Sequence, residues 1–437
     1  MDLTLQNNLY SIAIILLALI NINRLTKQNL ILTGEGGLHV NLLIFYGLGA
    51  LANGFTIFRW EWIIARGLYQ YFNEVQATVA LTYLALTILI LAIKKKPLSD
   101  WLNIKGRVRE INRITLILLS LSIVGYVFAE QEFAQSGIGT IFPVLRNLLF
   151  PTLVLLIYNV RRSNKTSILL LILGLALIGV NSFLSVWRSQ LIMFMFSIGA
   201  GLMLKDKRFI LLGLIAGPLF FIVILPFQNA KKYGRIKNQG FSEAVIGSFK
   251  NTKVSPFELS VAFVAERMSY ARESAYVLRG IDKGYIEYRY GATYAEAIFQ
   301  LVPRLFWPDK PSYNQLVNRI IPRKIGLVNK LDRNTSWGVN YFAEFLYNFP
   351  LIYLPLFFLL YWSLIQWLDK LTGKLNLSRE SLMMLRFSLF FLVLNTVSLT
   401  YSSTYFVWLF VTIKIVDRFI KRKSSANSFY STSAMTQ

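Results

Sequence analysis

Residues 167–186 read SILLLILGLALIGVNSFLSV, twenty positions without a charged side chain. A helix needs about 20 mostly apolar residues to cross the hydrocarbon core of a bilayer. Outward from this run, Arg161, Arg162 and Lys165 stand before it and Arg188 just after it. The same reading finds eleven apolar runs, near 5–23, 38–58, 74–93, 114–128, 141–160, 167–186, 190–204, 209–226, 349–368, 382–399 and 402–417. Those at 114–128 and 190–204 are short and borrow flanking residues. The expected fold class is an all-α polytopic membrane protein with about eleven transmembrane helices. Residues 1–226 hold the first eight and residues 349–417 the last three. Residues 227–348 form one large loop, and 418–437 a tail ending in a Ser/Thr/Asn-rich stretch expected to be disordered.

Composition agrees. Apolar residues make up 55% of the chain without glycine and charged residues only 16%, against about 25% charged in a soluble protein. Zero Cys and a single His, His39, exclude disulfide scaffolds, thiolate metal sites and histidine clusters. No metal and no cofactor are expected. The amino-terminal MDLTLQNN lacks the basic region of a signal peptide, so the first run is expected to stay as a span.

The 46 Lys and Arg exceed the 22 Asp and Glu by 24. In a soluble chain that excess suggests nucleic acid; in a membrane chain it suggests cytoplasmic loops. Alternate connections bear this out, with 23 basic residues on one side and only Arg59, Arg66 and Arg188 in the short segments on the other. The positive-inside rule then puts the N-terminus outside and the C-terminus in the cytoplasm. The loop 227–348 falls outside, yet carries 18 basic against 10 acidic residues. Positive-inside sorting does not account for that surplus. Anionic lipid headgroups or a phosphate-bearing substrate do, and no nucleic-acid partner is expected.

Two stretches of the loop have helical amphipathic spacing, Phe257 to Leu278 and Tyr294 to Phe306. Either they lie on the bilayer or they pack their apolar faces into a subdomain. Between Leu301 and Pro311 the chain reads LVPRLFWPDKP, with three prolines in nine residues. Proline fixes φ and removes a donor, so Arg304, Trp307, Asp309 and Lys310 are expected on a stiff segment. A guanidinium forks onto phosphate oxygens, and an indole face suits a sugar ring. Alternatively Arg304 pairs with Asp309 while Trp307 anchors in the interface.

Gly291-Ala-Thr-Tyr294, the run from Val302 to Pro311, and Trp337-Gly-Val-Asn-Tyr-Phe-Ala-Glu-Phe-Leu-Tyr-Asn-Phe349 resemble a recurring pattern in Wzy-type oligosaccharide repeat-unit polymerases. Val186-Trp-Arg-Ser189 is similar to a family arginine at an outer helix end. Where the family has Gly after Asn-Phe, this chain has Pro350, and the paired Arg-x10-Gly motifs of some members are not found in the loop. The resemblance implies an enzyme of the bacterial cytoplasmic membrane. It moves a glycan from polyprenyl pyrophosphate onto the sugar of an incoming lipid-linked repeat unit, at the outer leaflet. It implies membrane lipids, a flippase and a chain-length regulator as partners, and no nucleotide sugar.

Such chemistry needs a group that stabilises the departing pyrophosphate and a carboxylate that accepts the acceptor's proton. Arg304 and Arg188 are the candidates for the first role. Glu344, just before a span where burial favours the neutral carboxyl, is the candidate base, with Asp309 next. Arg146, Arg267, Arg272, Tyr294, Trp307, Lys310 and Trp337 are candidate substrate contacts. Arg146 is ionisable well inside its span, which is costly and often functional, although a snorkelling side chain gives the same sequence. Arg386, one turn from the cytoplasmic surface, is expected to snorkel. His39 is expected near that surface and outside the chemistry. Rival readings are an O-antigen ligase, another lipid-linked glycosyltransferase, and a lipid-linked sugar flippase or transporter.

Overall fold

A computed structural model describes residues 3–28, 30–54, 67–93, 108–128, 141–160, 165–184, 269–295, 320–328, 339–375, 379–394 and 409–418, with a few further positions such as Trp307. Helices account for most of them, and no strand occurs among the described residues. Among the described residues, three helices are long and apolar enough to cross a membrane: Leu5–Lys27, Tyr69–Ala92 and Leu351–Lys374, with mean hydropathy 1.7, 2.0 and 1.7. Each also carries exposed leucines and isoleucines on its outward face, such as Leu16, Ile20, Leu81, Ile88, Leu356 and Leu360. Helices apolar on both faces suit hydrocarbon surroundings rather than water.

The first of these is α1 (Leu3–Lys27), an Ile/Leu/Ala run whose last turn holds Arg24 and Lys27, where cations favour the helix dipole. The chain turns into α2 (Gly34–Asn41), then a π-helical segment (Leu42–Leu48) and α3 (Gly49–Gly54). The run expected over 38–58 thus starts earlier and widens midway. Glycine decides that start: a Cβ on Gly36 would lie 1.8 Å from the Ile31 carbonyl oxygen, and one on Gly37 2.6 Å from that of Phe390. Neither close approach admits a side chain.

Next come α4 (Tyr69–Ala92) and α5 (Val108–Phe128). The run expected over 141–160 is two helices, α6 (Ile141–Asn147) and α7 (Leu149–Asn159), parted at Leu148. Pro151 has no N–H to offer the Asn147 carbonyl, and that missing bond falls at the break. Then follow α8 (Lys165–Leu184), α9 (Tyr270–Asp282), α10 (Ile321–Lys324) and α11 (Tyr341–Asn348). A 3-10 turn (Leu351–Tyr353) leads into α12 (Leu354–Lys374), which is followed by α13 (Arg379–Leu394).

Two apolar cores result. One joins α1, α2, the π segment, α4, α9, α11 and α12. The other joins α5, α6, α7, α8, α13 and the helical residues 409–416. Helix α13 belongs to both, with Leu389 and Val393 facing the first core and Met383, Phe387 and Phe391 the second. Helix α9 lies in the first core against α4 and α11. Its residues from Ala271 to Leu278 are all buried, which is packing on protein rather than lying on a bilayer. The stretches expected over 209–226, 227–268, 296–306 and the tail after 418 lie outside the described residues.

Candidate functional site

Helix α11 is eight residues long, too short to persist on its own propensity, and side-chain amides hold both of its ends. At the N-terminus, Asn340 Oδ1 accepts the backbone N–H groups of Phe342 and Ala343, each at 3.0 Å. This is the N-cap role for which asparagine is favoured. The Asn340 side chain in turn donates to Glu273 Oε2 at 2.6 Å, and its backbone N–H donates to the same oxygen at 3.2 Å. One carboxylate on α9 thereby fixes the start of α11.

At the C-terminus, Asn348 Nδ2 donates to the Glu344 carbonyl at 2.8 Å and to Thr293 Oγ at 2.6 Å. Its Oδ1 accepts the N–H groups of Gly291 and Thr293 at 3.1 and 3.4 Å. The neighbouring backbone adds two bonds, from Arg289 N–H to Tyr347 O and from Tyr290 N–H to Asn348 O. The Gly291-Ala-Thr-Tyr294 motif is therefore a seat for the end of α11. Gly291 takes φ +88° there, a left-handed conformation that glycine adopts without cost.

Between the two clamps lies Glu344, fully buried. Tyr294 is close enough for the Glu344 charge to act on it. Burial pushes the Tyr294 phenol well above its usual range, and the Glu344 carboxylate pushes it further. The phenol consequently stays protonated as a donor. Its buried hydroxyl has no hydrogen-bond partner among the described residues, and buried hydroxyls are seldom left so. The Tyr294 ring stacks on Phe349 at 6.4 Å between centroids. It also lines a groove of about 690 Å³ that continues along Phe345, Tyr353, Phe357 and Leu364. That volume lies within the usual range of small-molecule pockets, about 300–1,000 Å³.

Arg272 is buried on α9, its guanidinium carbon 5.6 Å from the centre of the Tyr276 ring. The sequence candidates Glu344, Tyr294 and Arg272 therefore meet on the packed pair α9 and α11 and the adjoining turn. Arg146 does not join them: it sits half-buried on α6, which packs on α5 and α7 in the second core. Trp307 is 37% exposed. Arg188, Arg267, Arg304, Asp309, Lys310 and Trp337 lie outside the described residues.

Two residues away from this site are buried as well. His39 is fully buried, with Nδ1 2.8 Å from the Tyr83 hydroxyl and Nε2 3.8 Å from Glu35. Arg386 is 3% exposed rather than snorkelling. Its guanidinium lies over Gly373, whose missing side chain leaves room for it, within reach of the Asp369 charge.

Reading the sequence missed Glu273, Asn340, Asn348 and Thr293. An Asn immediately before an apolar helical run is a start signal, so Asn340 was within reach. Comparison with protein-family models, with curated proteins and with solved structures gives no match.

Proposed function

We propose that this chain is a membrane glycosyltransferase that polymerises polyprenyl-pyrophosphate-linked oligosaccharide repeat units at the outer leaflet of a bacterial cytoplasmic membrane. On this reading about eleven helices span the bilayer, with the N-terminus outside, the C-terminus in the cytoplasm and residues 227–348 outside. The observation that carries it is Glu344, a fully buried carboxylate on a helix clamped at both ends, beside a protonated phenol that opens on an apolar groove.

A hydroxyl of the incoming repeat unit attacks the anomeric carbon of the growing glycan. The new glycosidic C–O bond forms as the bond to pyrophosphate breaks, and the leaving group takes that electron pair. The hydroxyl proton passes to the Glu344 carboxylate, with Asp309 the alternative base. Tyr294 donates a hydrogen bond to a substrate oxygen. Arg304 and Arg188 meet the pyrophosphate charge, where loss of one such donor costs about a hundred- to thousandfold in rate. Arg267, Arg272, Trp307, Lys310 and Trp337 complete the substrate contacts, without Arg146, and the flippase and chain-length regulator are its protein partners. The apolar stripe of α12 along the groove suits a polyprenyl chain.

Deleting the gene should leave single lipid-linked repeat units exported but not joined. Persistence of long polymer with failure only of its transfer to a final acceptor would replace this reading with a ligase. Reporter fusions at Lys105, Lys207 and Lys423 should face the cytoplasm and one at Lys283 the exterior; a cytoplasmic Lys283 sinks the outer-leaflet assignment.

A further inference from the structure

The turn that seats α11 contains a residue its backbone disfavours. Ala292 N–H bonds to the Arg289 carbonyl at 2.9 Å, closing a four-residue turn. Both central residues have positive φ, +46° at Tyr290 and +88° at Gly291. A turn with two positive φ values selects Asn, Asp or Gly at its first central position. A bulky side chain there is an outlier, and among the described residues Tyr290 is the one non-glycine with positive φ. Burial does not repay the strain, because Tyr290 is 76% exposed. Positions where a local rule is broken without a packing gain are where function is expected.

The surroundings indicate what the ring meets. Tyr290 lines the groove that Tyr294 and Tyr353 also line, and Tyr353 is 52% exposed. Tyr288 stands beside it, with ring centroids 6.1 Å apart. Exposed Glu287 and Arg289 adjoin Tyr288 and Tyr290 along the chain, so charged groups stand beside these rings. A ligand that offers an apolar face to an aromatic ring and hydroxyls to water is a sugar. The C–H hydrogens on one face of a pyranose are weakly positive, and the face of an aromatic ring is negative.

We propose that Tyr290 is a carbohydrate-binding platform at the mouth of the groove, its ring stacked on a sugar of the glycan. This rests on the polymerase reading for the identity of the glycan, and it adds a residue that contacts it. The strained turn holds the ring out from the Gly291-Ala-Thr-Tyr294 seat, so the bound sugar is placed on the groove wall that Tyr294 shares.

The test uses the full-length protein in lipid nanodiscs and oligosaccharide fragments released by mild acid from the same cells' surface polysaccharide. Tyr290→Gly should weaken binding of the fragments by about tenfold, the size expected for one aromatic contact. Its melting temperature should equal or exceed that of wild type, because the strain is relieved. Tyr290→Phe should bind like wild type. Wild-type affinity in Tyr290→Gly overturns the proposal, and so does a fall in melting temperature that accounts for the lost binding. Unchanged binding with poorer membrane incorporation would make Tyr290 an interfacial anchor and also overturns it. A wild-type protein that binds fragments through Tyr290 yet never joins lipid-linked units would remove the polymerase reading and leave this inference. A polymerising protein whose Tyr290→Gly variant binds normally does the reverse.

Discussion

Where α1 meets α2, Arg24 Nη2 lies 2.7 Å from Glu35 Oε1, and Asp369 of α12 accepts the N–H groups of Gly34 and Glu35. His39, Tyr83 and Arg386 are buried in the same neighbourhood. Between α9 and α11 a second buried polar region is tied together differently, through the amides of Asn340 and Asn348. In the first region a guanidinium answers a carboxylate, and the junction of helices depends on both charges. In the second, the two caps of α11 are neutral side-chain amides, one of them anchored on the Glu273 carboxylate, and no guanidinium takes part in these bonds. The first region reads as a clasp and the second as a working site.

The largest effect expected from this contrast is on stability in the clasp. Arg24→Ala leaves Glu35, whose side chain is 2% exposed, without its guanidinium, and breaking such a buried pair costs about 3–5 kcal/mol. Thermal unfolding in lipid should show the loss, while activity per folded molecule stays near wild type. If folding were untouched and turnover lost, the two regions would have to exchange roles.

A smaller effect is expected at the amide clamps. Asn340→Ala removes an N-cap, at a cost of about 1–2 kcal/mol. Asn340→Ser keeps the cap but cannot reach Glu273 in the same way, so it should hold more of the stability while still slowing turnover. Equal stability and equal turnover in all three proteins would mean that the clamp does not position Glu344.

The smallest effect lies at the exposed end of α9. The Tyr71 hydroxyl donates to Asp282, and with Lys283 nearby this holds the Asp282 carboxyl below its usual range. A depressed carboxyl contributes stability above its unfolded pKa of about 3.9 and loses it as pH falls through the lower folded value. Melting curves of Tyr71→Phe should sit slightly below wild type near neutral pH and converge with it in strong acid. A gap that widened on acidification would give the wrong sign.

Much of the bundle was legible from apolar runs, because α1, α4 and α12 are uninterrupted and hydrocarbon imposes a length. Breaks were less legible. Pro151 marks the parting of α6 and α7, yet apolar residues continue on both sides of Arg146 and Asn147, so the run reads as one span. The π segment after Asn41 has no comparable marker, since it depends on tertiary contacts such as Asn41 Nδ2 to the carbonyls of Val393 and Leu394. At the site, Glu344 and Tyr294 stood out by burial and motif. Glu273 did not, because its amide partner lies 67 positions along the chain and nothing local marks the pair. Arg386 misled for a related reason: nothing local reveals that Gly373 leaves room for a guanidinium.

The most direct measurement is polymerisation by purified, reconstituted protein supplied with lipid-linked repeat units, wild type beside Glu344→Gln. Glutamine keeps the shape of the side chain and removes its capacity to take a proton. The expected result is a ladder of products from wild type and a rate lower by about a hundred- to ten-thousandfold from the variant, with unfolding temperatures alike. A Glu344→Gln protein that builds the same ladder at the same rate would contradict the assignment of this site.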